Sequence, residues 1–171
     1  MLNTYTIVPA AERYAESYGH AVTSVALERK YLASTTGFPI EGTRAFVKEL
    51  CLNNWPQYYA VAVVSSANPE LVVGWCDIIP HRYEGLSHVG ELGMGVVKEY
   101  RRQGIGKALL LITIEAARRF GLEKVELEVF ASNVEAIDLY RKVGFTVEGV
   151  RLRGRKIDGV YDDLMQMGLF L

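Results

Sequence analysis

The sequence predicts an α/β fold: one domain over residues 1–171, with a mixed sheet of about seven strands and helices on both faces. Short segments in which apolar and polar residues alternate indicate strands, and longer segments with apolar residues at helical spacing indicate helices. Glycine and proline mark most of the boundaries between them. The predicted order is strand, two helices, three strands, helix, strand, helix and two strands, which is typical of a mixed sheet covered on both sides.

The first part of the chain predicts a strand followed by two helices. Residues 2–8 alternate as a half-buried strand should, and Pro9 fits the first turn of a helix that runs to about Leu32. Turn-forming residues interrupt this pattern before helical spacing resumes over residues 43–52. The loop at residues 35–40 is therefore expected to lie between two helices.

The middle of the chain predicts a hairpin and a glycine-rich strand. Residues 58–65 and 71–79 are rich in valine and aromatic residues, and residues 66–70 form the turn between them. Residues 91–97 predict the third strand of this group. Gly93 and Gly95 within it indicate a bulge or a ligand that lies close to the backbone.

The remaining elements follow from the same two periodicities. Apolar residues at helical spacing predict a helix from Gly104 to Phe120, with Gly121 as its end. Ser132 and Glu135 have the spacing of a capping box, which would open a short helix that ends at Gly144. Strands are predicted at residues 124–130, 145–156 and 160–169, with a turn at residues 157–159.

Composition excludes several classes of function. A formal net charge of −1 gives no general attraction to nucleic acid, and no apolar run approaches the length of a membrane span. Cys51 and Cys76 stand in apolar surroundings without a Cys-x-x-Cys pair, so we expect reduced, buried thiols and no metal site. The sequence therefore predicts a cytoplasmic protein without nucleic-acid or membrane partners.

The basic turn between the glycine-rich strand and the next helix predicts a site for a phosphorylated ligand. The segment from Arg101 to Gly106 stands at a helix start, where unpaired N–H groups and the helix dipole attract anions. Arg101, Arg102 and Lys107 add mobile positive charge beside it. A P-loop is excluded because Ala108 follows Lys107, and a dinucleotide fingerprint is excluded because Leu109 stands where its third glycine belongs.

Two motifs resemble those of the GNAT superfamily of acyl-CoA-dependent N-acyltransferases. The pattern Arg101-x-x-Gly104-x-Gly106 is similar to its pyrophosphate loop. The pattern that contains Asn133, Tyr140 and Gly144-Phe145 is similar to its second acyl-CoA motif. The resemblance implies acetyl-CoA as donor, bound by residues of both motifs and of the strand before them: Val96, Val97, Arg101, Arg102, Gln103, Gly104, Ile105, Gly106, Lys107, Asn133 and Tyr140.

The resemblance also implies roles for individual groups. The backbone N–H near Val96 would polarise the thioester carbonyl, and the Tyr140 hydroxyl would protonate the departing thiolate. Asn133 would bind the pantetheine amide, cap a helix, or do both. Glu91 is the candidate base, since a carboxylate in an apolar strand would be buried and its pKa raised, although ordered water is an alternative.

The predicted activity is therefore acetyl transfer from acetyl-CoA to a primary amine by direct attack in a ternary complex. The ending from Gly149 resembles the branches of the superfamily that contain ribosomal-protein N-terminal, polyamine and phosphinothricin-type acetyltransferases. A small amine, an amino acid or a peptide N-terminus would therefore serve as acceptor, and the resemblance does not choose among them. We expect the acceptor to enter between residues 35–40 and the final hairpin, where Asp158, Asp162 and Asp163 attract a cation or merely form a solvated turn. The rival hypothesis is a non-catalytic acyl-CoA-binding sensor. The assembly state stays open, with a homodimer as one option.

Overall fold

The computed structural model describes residues 5–62 and 70–171. These residues form four helices and seven strands in the order that the sequence predicts. The helices are α1 (Ala15–Leu27), α2 (Ile40–Asn53), α3 (Ile105–Phe120) and α4 (Val134–Val143). The strands are β1 (Tyr5–Pro9), β2 (Gln57–Ala62), β3 (Leu71–Pro80), β4 (Val89–Val96), β5 (Lys124–Phe130), β6 (Thr146–Ile157) and β7 (Val160–Phe170).

The seven strands form one mixed sheet in the order β1-β2-β3-β4-β5-β7-β6. The β4–β5 pair is parallel, whereas the other neighbours pair antiparallel. We call the face covered by α1 and α2 the front and the face covered by α3 and α4 the back. The fold class predicted from the sequence, a sheet with helices on both faces, is confirmed.

Each face of the sheet has its own hydrophobic core. In front, Tyr18 stacks on Tyr59 with ring centroids 5.2 Å apart, and Trp75 meets Tyr18 edge-on at 5.8 Å. Behind the sheet, Leu109 of α3 is fully buried within a cluster that includes Val125 of β5. Burial of aliphatic and aromatic surface on both faces is the main stabilising term of such a sheet.

Several local predictions are wrong for identifiable reasons. Pro9 ends β1 instead of opening a helix, and α1 begins only at Ala15, after the single turn Glu12–Tyr14. The same helix ends at Leu27 and not at about Leu32. The capping box at Ser132 does not form, because the Ser132 hydroxyl donates to Asp162 and Asn133 caps α4 instead. The hairpin turn predicted at residues 66–70, like the predicted strand ends at residues 2–4 and 63–65, falls largely outside the described residues.

The last hairpin reaches back to the connection between α1 and α2. Arg29 donates to both carboxylate oxygens of Asp158, at 2.9 and 2.7 Å, and Arg155 donates to the Lys30 carbonyl at 2.8 Å. Asp158 and Gly159 both have positive φ, as a two-residue hairpin turn of type I′ requires. The last hairpin therefore contacts residues 29 and 30, before the loop at residues 35–40, and the predicted entry of the acceptor between that loop and the hairpin stays a prediction.

Candidate active site

A gap opens between β4 and β5 where their pairing ends. The two strands, both fully described, pair only from Val89 to Glu91 of β4, although β4 continues to Val96 and β5 to Phe130. Val97 N donates to Val73 O at 2.9 Å, which makes Gly74 and Val96 a non-hydrogen-bonded pair. The N–H of Val96 therefore points away from β3 and into the gap, as its predicted role requires.

The N-terminus of α3 lies beside the open end of this gap. Gly104 precedes the helix with φ +81°, and the first intrahelical bond runs from Ala108 N to Gly104 O at 3.1 Å. The N–H groups of Ile105, Gly106 and Lys107 precede that bond, so they lack an acceptor within the helix. Gly106 lies 3.5 Å or more from the side chains of Met94 and Val96, measured from the position of a built Cβ. The loop therefore presents backbone donors next to the end of β4.

Arg101 is not the mobile cation that the sequence predicts. Its guanidinium forms a two-armed ion pair with Glu28 at the end of α1, and its Nε donates to Val96 O at 2.8 Å. The Tyr31 ring also stacks 4.6 Å from the guanidinium carbon. The hydrogen bond to Glu28 raises the pKa of Arg101. Its side chain holds α1 against β4, and the phosphate loop is left with other cations.

Two further residues of the predicted cofactor set are also engaged within the protein. Both backbone groups of Val97 are used, its N–H by Val73 O and its carbonyl by Tyr100 N at 2.9 Å. The Gln103 amide donates to Glu99 O at 3.3 Å. The backbone groups of Val97 are therefore used by the turn itself, whereas the Gln103 backbone N–H is not used by this side-chain bond, and the cofactor role of Gln103 stays a prediction.

Arg102 and Lys107 remain as exposed cations at the loop. Arg102 has φ +63°, and its side chain, 79% exposed, forms a 2.7 Å ion pair with Glu135 in the first turn of α4. Lys107 is exposed in the first turn of α3. An exposed pair such as Arg102–Glu135 is weak and exchanges readily with an anionic ligand.

Tyr140 lies on the back of the sheet, beneath the gap. It is 7% exposed within the back core, and burial raises the pKa of its phenol, with a further contribution from nearby Cys76. Cys76 pairs in register with Met94, which belongs to the part of β4 that pairs with β3 but not with β5. The hydroxyl therefore stays protonated near neutral pH, close to the gap.

Asn133 connects the second motif to the same region. Its Oδ1 accepts from Ala136 N at 3.4 Å, so the capping role is confirmed. The cap uses only the acceptor atom of the amide. The Nδ2 group stays free of that bond and can donate elsewhere.

Glu91 is on the front of the sheet, but the prediction that it is buried is wrong. Its side chain is exposed at the last β4–β5 pair, opposite Glu126 of β5. The glycines after it form no bulge, since β4 pairs with β3 in continuous register. Gly95 instead leaves room for the Trp75 indole, which a Cβ at this position would overlap.

The buried carboxylate of this region is Asp77 of β3, which sequence reasoning missed. It is 6% exposed, and burial together with the charge of Glu91 raises its pKa to about 7. The signal was present, because Asp77 is the one charged residue in the apolar segment from Leu71 to Pro80. An acid in such a strand is a stronger candidate for a perturbed pKa than one at a strand end.

The acidic residues of the last hairpin are held by neighbouring groups. Arg29 lowers the pKa of Asp158, Asp162 accepts from Ser132, and Asp163 accepts from Arg153 N at 2.7 Å. These carboxylates shape the hairpin, and their role in attracting a cation stays a prediction.

The cysteines offer no alternative nucleophile. Cys51 and Cys76 are free thiols, Cys76 fully buried and Cys51 partly so. Burial raises the pKa of both thiols, which keeps them protonated and poorly nucleophilic.

Residues 5–62 and 70–171 lack two further features. No helix in these ranges is long and apolar enough to cross a membrane. The same ranges contain no cluster of three or more His, Cys, Asp or Glu residues that could hold a metal ion.

Comparison with known proteins identifies the family. A model described as the acetyltransferase (GNAT) family matches residues 24–145. N-alpha-acetyltransferase 30 of Saccharomyces cerevisiae is 35% identical over 104 residues, 58% of each chain. The L-amino acid N-acetyltransferase of Escherichia coli K12 is 32% identical over 97 residues, 56% of this chain and 60% of that protein. This chain thus spans about three-fifths of the length of these curated relatives.

The fold agrees with that assignment. The crystal structure of a GNAT-family acetyltransferase from Streptococcus pneumoniae superimposes with a TM-score of 0.87 at 25% identity. The match covers 98% of this chain and all of the other. Because the family model covers well over half of the sequence and the whole fold is shared, the chain belongs to the acetyltransferase (GNAT) family.

Proposed function

We propose that this protein is an acetyl-CoA-dependent N-acetyltransferase that transfers the acetyl group directly to a primary amine. The observation that carries the proposal is the gap between β4 and β5, with the N–H groups of α3 at its open end and Tyr140 beneath it. A groove with anion-binding donors at one end and a protonated acid in its wall suits a phosphorylated thioester.

The cofactor would bind along the gap. Its pyrophosphate would accept hydrogen bonds from the N–H groups of Ile105, Gly106 and Lys107, while Arg102 would leave Glu135 to meet a phosphate. The pantetheine arm would run beside the unpaired part of β4, within reach of the free Asn133 amide N–H. Backbone donors would supply most of the affinity, because Arg101 is committed to Glu28.

Transfer requires a polarised carbonyl and a protonated leaving group. The Val96 N–H points into the gap, where it would donate to the thioester oxygen as negative charge develops. Tyr140, whose pKa burial raises, would then give its proton to the departing CoA thiolate. Direct attack is favoured over an acyl-enzyme because the pKa of the buried Cys76 thiol is raised, and a protonated thiol is a poor nucleophile.

The acceptor would approach from the front. Glu91 and Glu126 face this side next to the gap, where Glu126 contacts His81 Nε2 at 3.0 Å and Lys124 Nζ at 3.5 Å. A protonated amine would therefore be drawn chiefly to Glu91 and would lose its proton to Glu91, through water or through another carboxylate on the same face. Names of the relatives suggest an amino acid or a protein N-terminus as acceptor, and a small amine fits the same surface.

A thiol-release assay tests the proposal. Acetyl-CoA is supplied with a panel of L-amino acids, spermidine and short peptides, and free CoA thiol is followed with a thiol reagent. Tyr140→Phe keeps the ring and its packing against Phe145, so we expect acetyl-CoA affinity to persist while turnover falls about 10²-fold.

The results separate enzyme from sensor. Acetyl-CoA binding without thiol release for any acceptor would favour the non-catalytic sensor. A Tyr140→Phe variant as fast as its parent would remove Tyr140 from the mechanism.

A further inference from the structure

Two polar residues and a glycine lie in register across β2, β3 and β4 and form a row on the front of the sheet. Gln57 pairs with Asp77, and Asp77 pairs with Gly93. Cross-strand partners project from the same face, so the Asp77 carboxylate lies between an amide and a position without a side chain. A Cβ built on Gly93 would stand 3.1 Å from Asp77 Oδ2. Glycine at this position therefore leaves space directly beside the carboxylate.

Polar atoms in and beside this row are buried and lack hydrogen-bond partners. Gln57 is 3% exposed, and neither atom of its amide has a hydrogen-bond partner among residues 5–62 and 70–171. The buried Tyr59 hydroxyl also lacks one within those ranges, although it approaches Gln57. Buried polar atoms in folded proteins are normally paired with protein, water or ligand. The row is thus a place where water or a polar substrate group would be bound.

The charges that face Asp77 are few and of one sign. Glu91 on β4 contributes negative charge, while Tyr18 on α1 and Tyr59 on β2 contribute phenols whose pKa values are raised by burial and by Asp77 itself. Neither Glu91 nor these two phenols supplies a positive charge beside Asp77. Burying a carboxylate without a cationic partner destabilises a fold, and such residues cluster at functional sites.

We propose that Asp77 is the proton acceptor for the amine, acting through water held in this row, and that Glu91 passes the proton to solvent. The proposal rests on the acetyltransferase function proposed above. The ammonium group of the acceptor loses one proton to the Asp77 carboxylate and becomes a neutral amine, which attacks the thioester carbon. As the C–N bond forms and the C–S bond breaks, Tyr140 protonates the CoA thiolate. The second proton, lost by the new amide nitrogen, restores the Tyr140 hydroxyl. Asp77 then passes the proton that it received from the ammonium group to the exposed Glu91 carboxylate, and Glu91 releases it to bulk water.

The position of Glu91 supports this order of transfer. Glu91 and Gly93 are alternate residues of β4, so both face the front, where Glu91 is exposed and Asp77 is enclosed. The unpaired stretch of β4 begins immediately after Glu91. A proton taken up at Asp77 therefore has a short route to solvent that avoids the cofactor gap.

Rate profiles against pH test the assignment. The parent, Asp77→Asn, Glu91→Gln and, as a surface control, Glu115→Gln of α3 are compared with acetyl-CoA and one acceptor chosen by the thiol-release panel. The acceptor amine ionises in the same way in the assays of all four proteins, so its ionisation cancels in the comparison. We expect Asp77→Asn to lose the limb centred near pH 7 and about 10²-fold in turnover at pH 8. Glu91→Gln should move that limb to lower pH, because the charge that opposes ionisation of Asp77 is gone.

The outcomes are separable from those that bear on the function itself. An Asp77→Asn variant that keeps the parent's limb and rate would overturn the proposal. If that variant does not fold, an unmoved limb in Glu91→Gln would overturn it instead. Titration of ¹³C-labelled aspartate carboxyls by NMR reports Asp77 ionisation without any substrate. If the parent protein releases no thiol, that result contradicts the proposed acetyltransferase function and not the assignment of Asp77.

Discussion

Replacing Asp77 with asparagine should change how the stability of the protein depends on pH. Burial and Glu91 raise the pKa of Asp77 to about 7 in the folded chain, whereas an aspartate in an unfolded chain titrates near its usual value of about 3.9. Between these two values the folded state holds a proton that the unfolded state has lost. The free energy of unfolding therefore falls as the pH rises through this window, and the loss is complete above the folded-state pKa.

The size of the effect follows from the two pKa values. A difference of about three units corresponds to about 4 kcal/mol in total, of which about 2–3 kcal/mol lies between pH 5 and pH 8. Asp77→Asn cannot ionise, so the variant should gain this amount relative to the parent across that interval. Urea unfolding of both proteins at several pH values measures it, and all other titrating groups cancel in the comparison. A difference between the two proteins that does not change with pH would refute the reasoning.

Two further predictions concern the cofactor loop and its support. Gly104→Val and Gly121→Val introduce the same strain at opposite ends of α3, where φ is +81° and +100° and a Cβ meets no atom within 4 Å. Each should cost about 1–2 kcal/mol of stability, seen as a lower Tm, but only Gly104→Val should abolish acetyl-CoA binding in calorimetry. Equal binding by the two variants would contradict the loop assignment. Glu28→Gln should lower stability by about 1–3 kcal/mol because it unpairs the half-buried Arg101, while acetyl-CoA affinity stays at the parent's value. A loss of affinity as large as that of Gly104→Val would return Arg101 to the cofactor site.

The order of elements could be predicted because most of them obey a single periodicity. Lys124–Phe130 alternates strictly, with Val125, Leu127 and Val129 all buried, and its predicted bounds are confirmed. The ends of α3 and α4 were also predictable, since Gly121 and Gly144 adopt the positive φ that favours glycine after a helix. The starts of α1 and α4 were misplaced, as was the end of α1, predicted at about Leu32 and found at Leu27, because several residues could serve as each boundary.

The site was less predictable, because the availability of its side chains depends on contacts between residues that are far apart in the sequence. Nothing in the loop motif indicates that Glu28, 73 positions earlier, would bind Arg101. The role of Gly95 likewise depends on Trp75 in the neighbouring strand, whose indole occupies the space that a side chain would need. A motif specifies which residue types are present, but tertiary contacts decide which of them remain free to meet a ligand.

The two carboxylates illustrate the same point from the standpoint of energy. Glu91 was the predicted base because it is a carboxylate in an apolar, glycine-rich strand, yet its place at the end of the β4–β5 pairing leaves it exposed to water. Asp77 lies two pairs further into the sheet, between Gln57 and Gly93, where ionisation is opposed by burial. Replacing such a residue with a neutral one stabilises the folded state, and the comparison of Asp77→Asn with the parent measures that gain. If Asp77→Asn is more stable than the parent at pH 8 and also loses the limb of the rate profile near pH 7, the ionisation of one carboxylate explains both results.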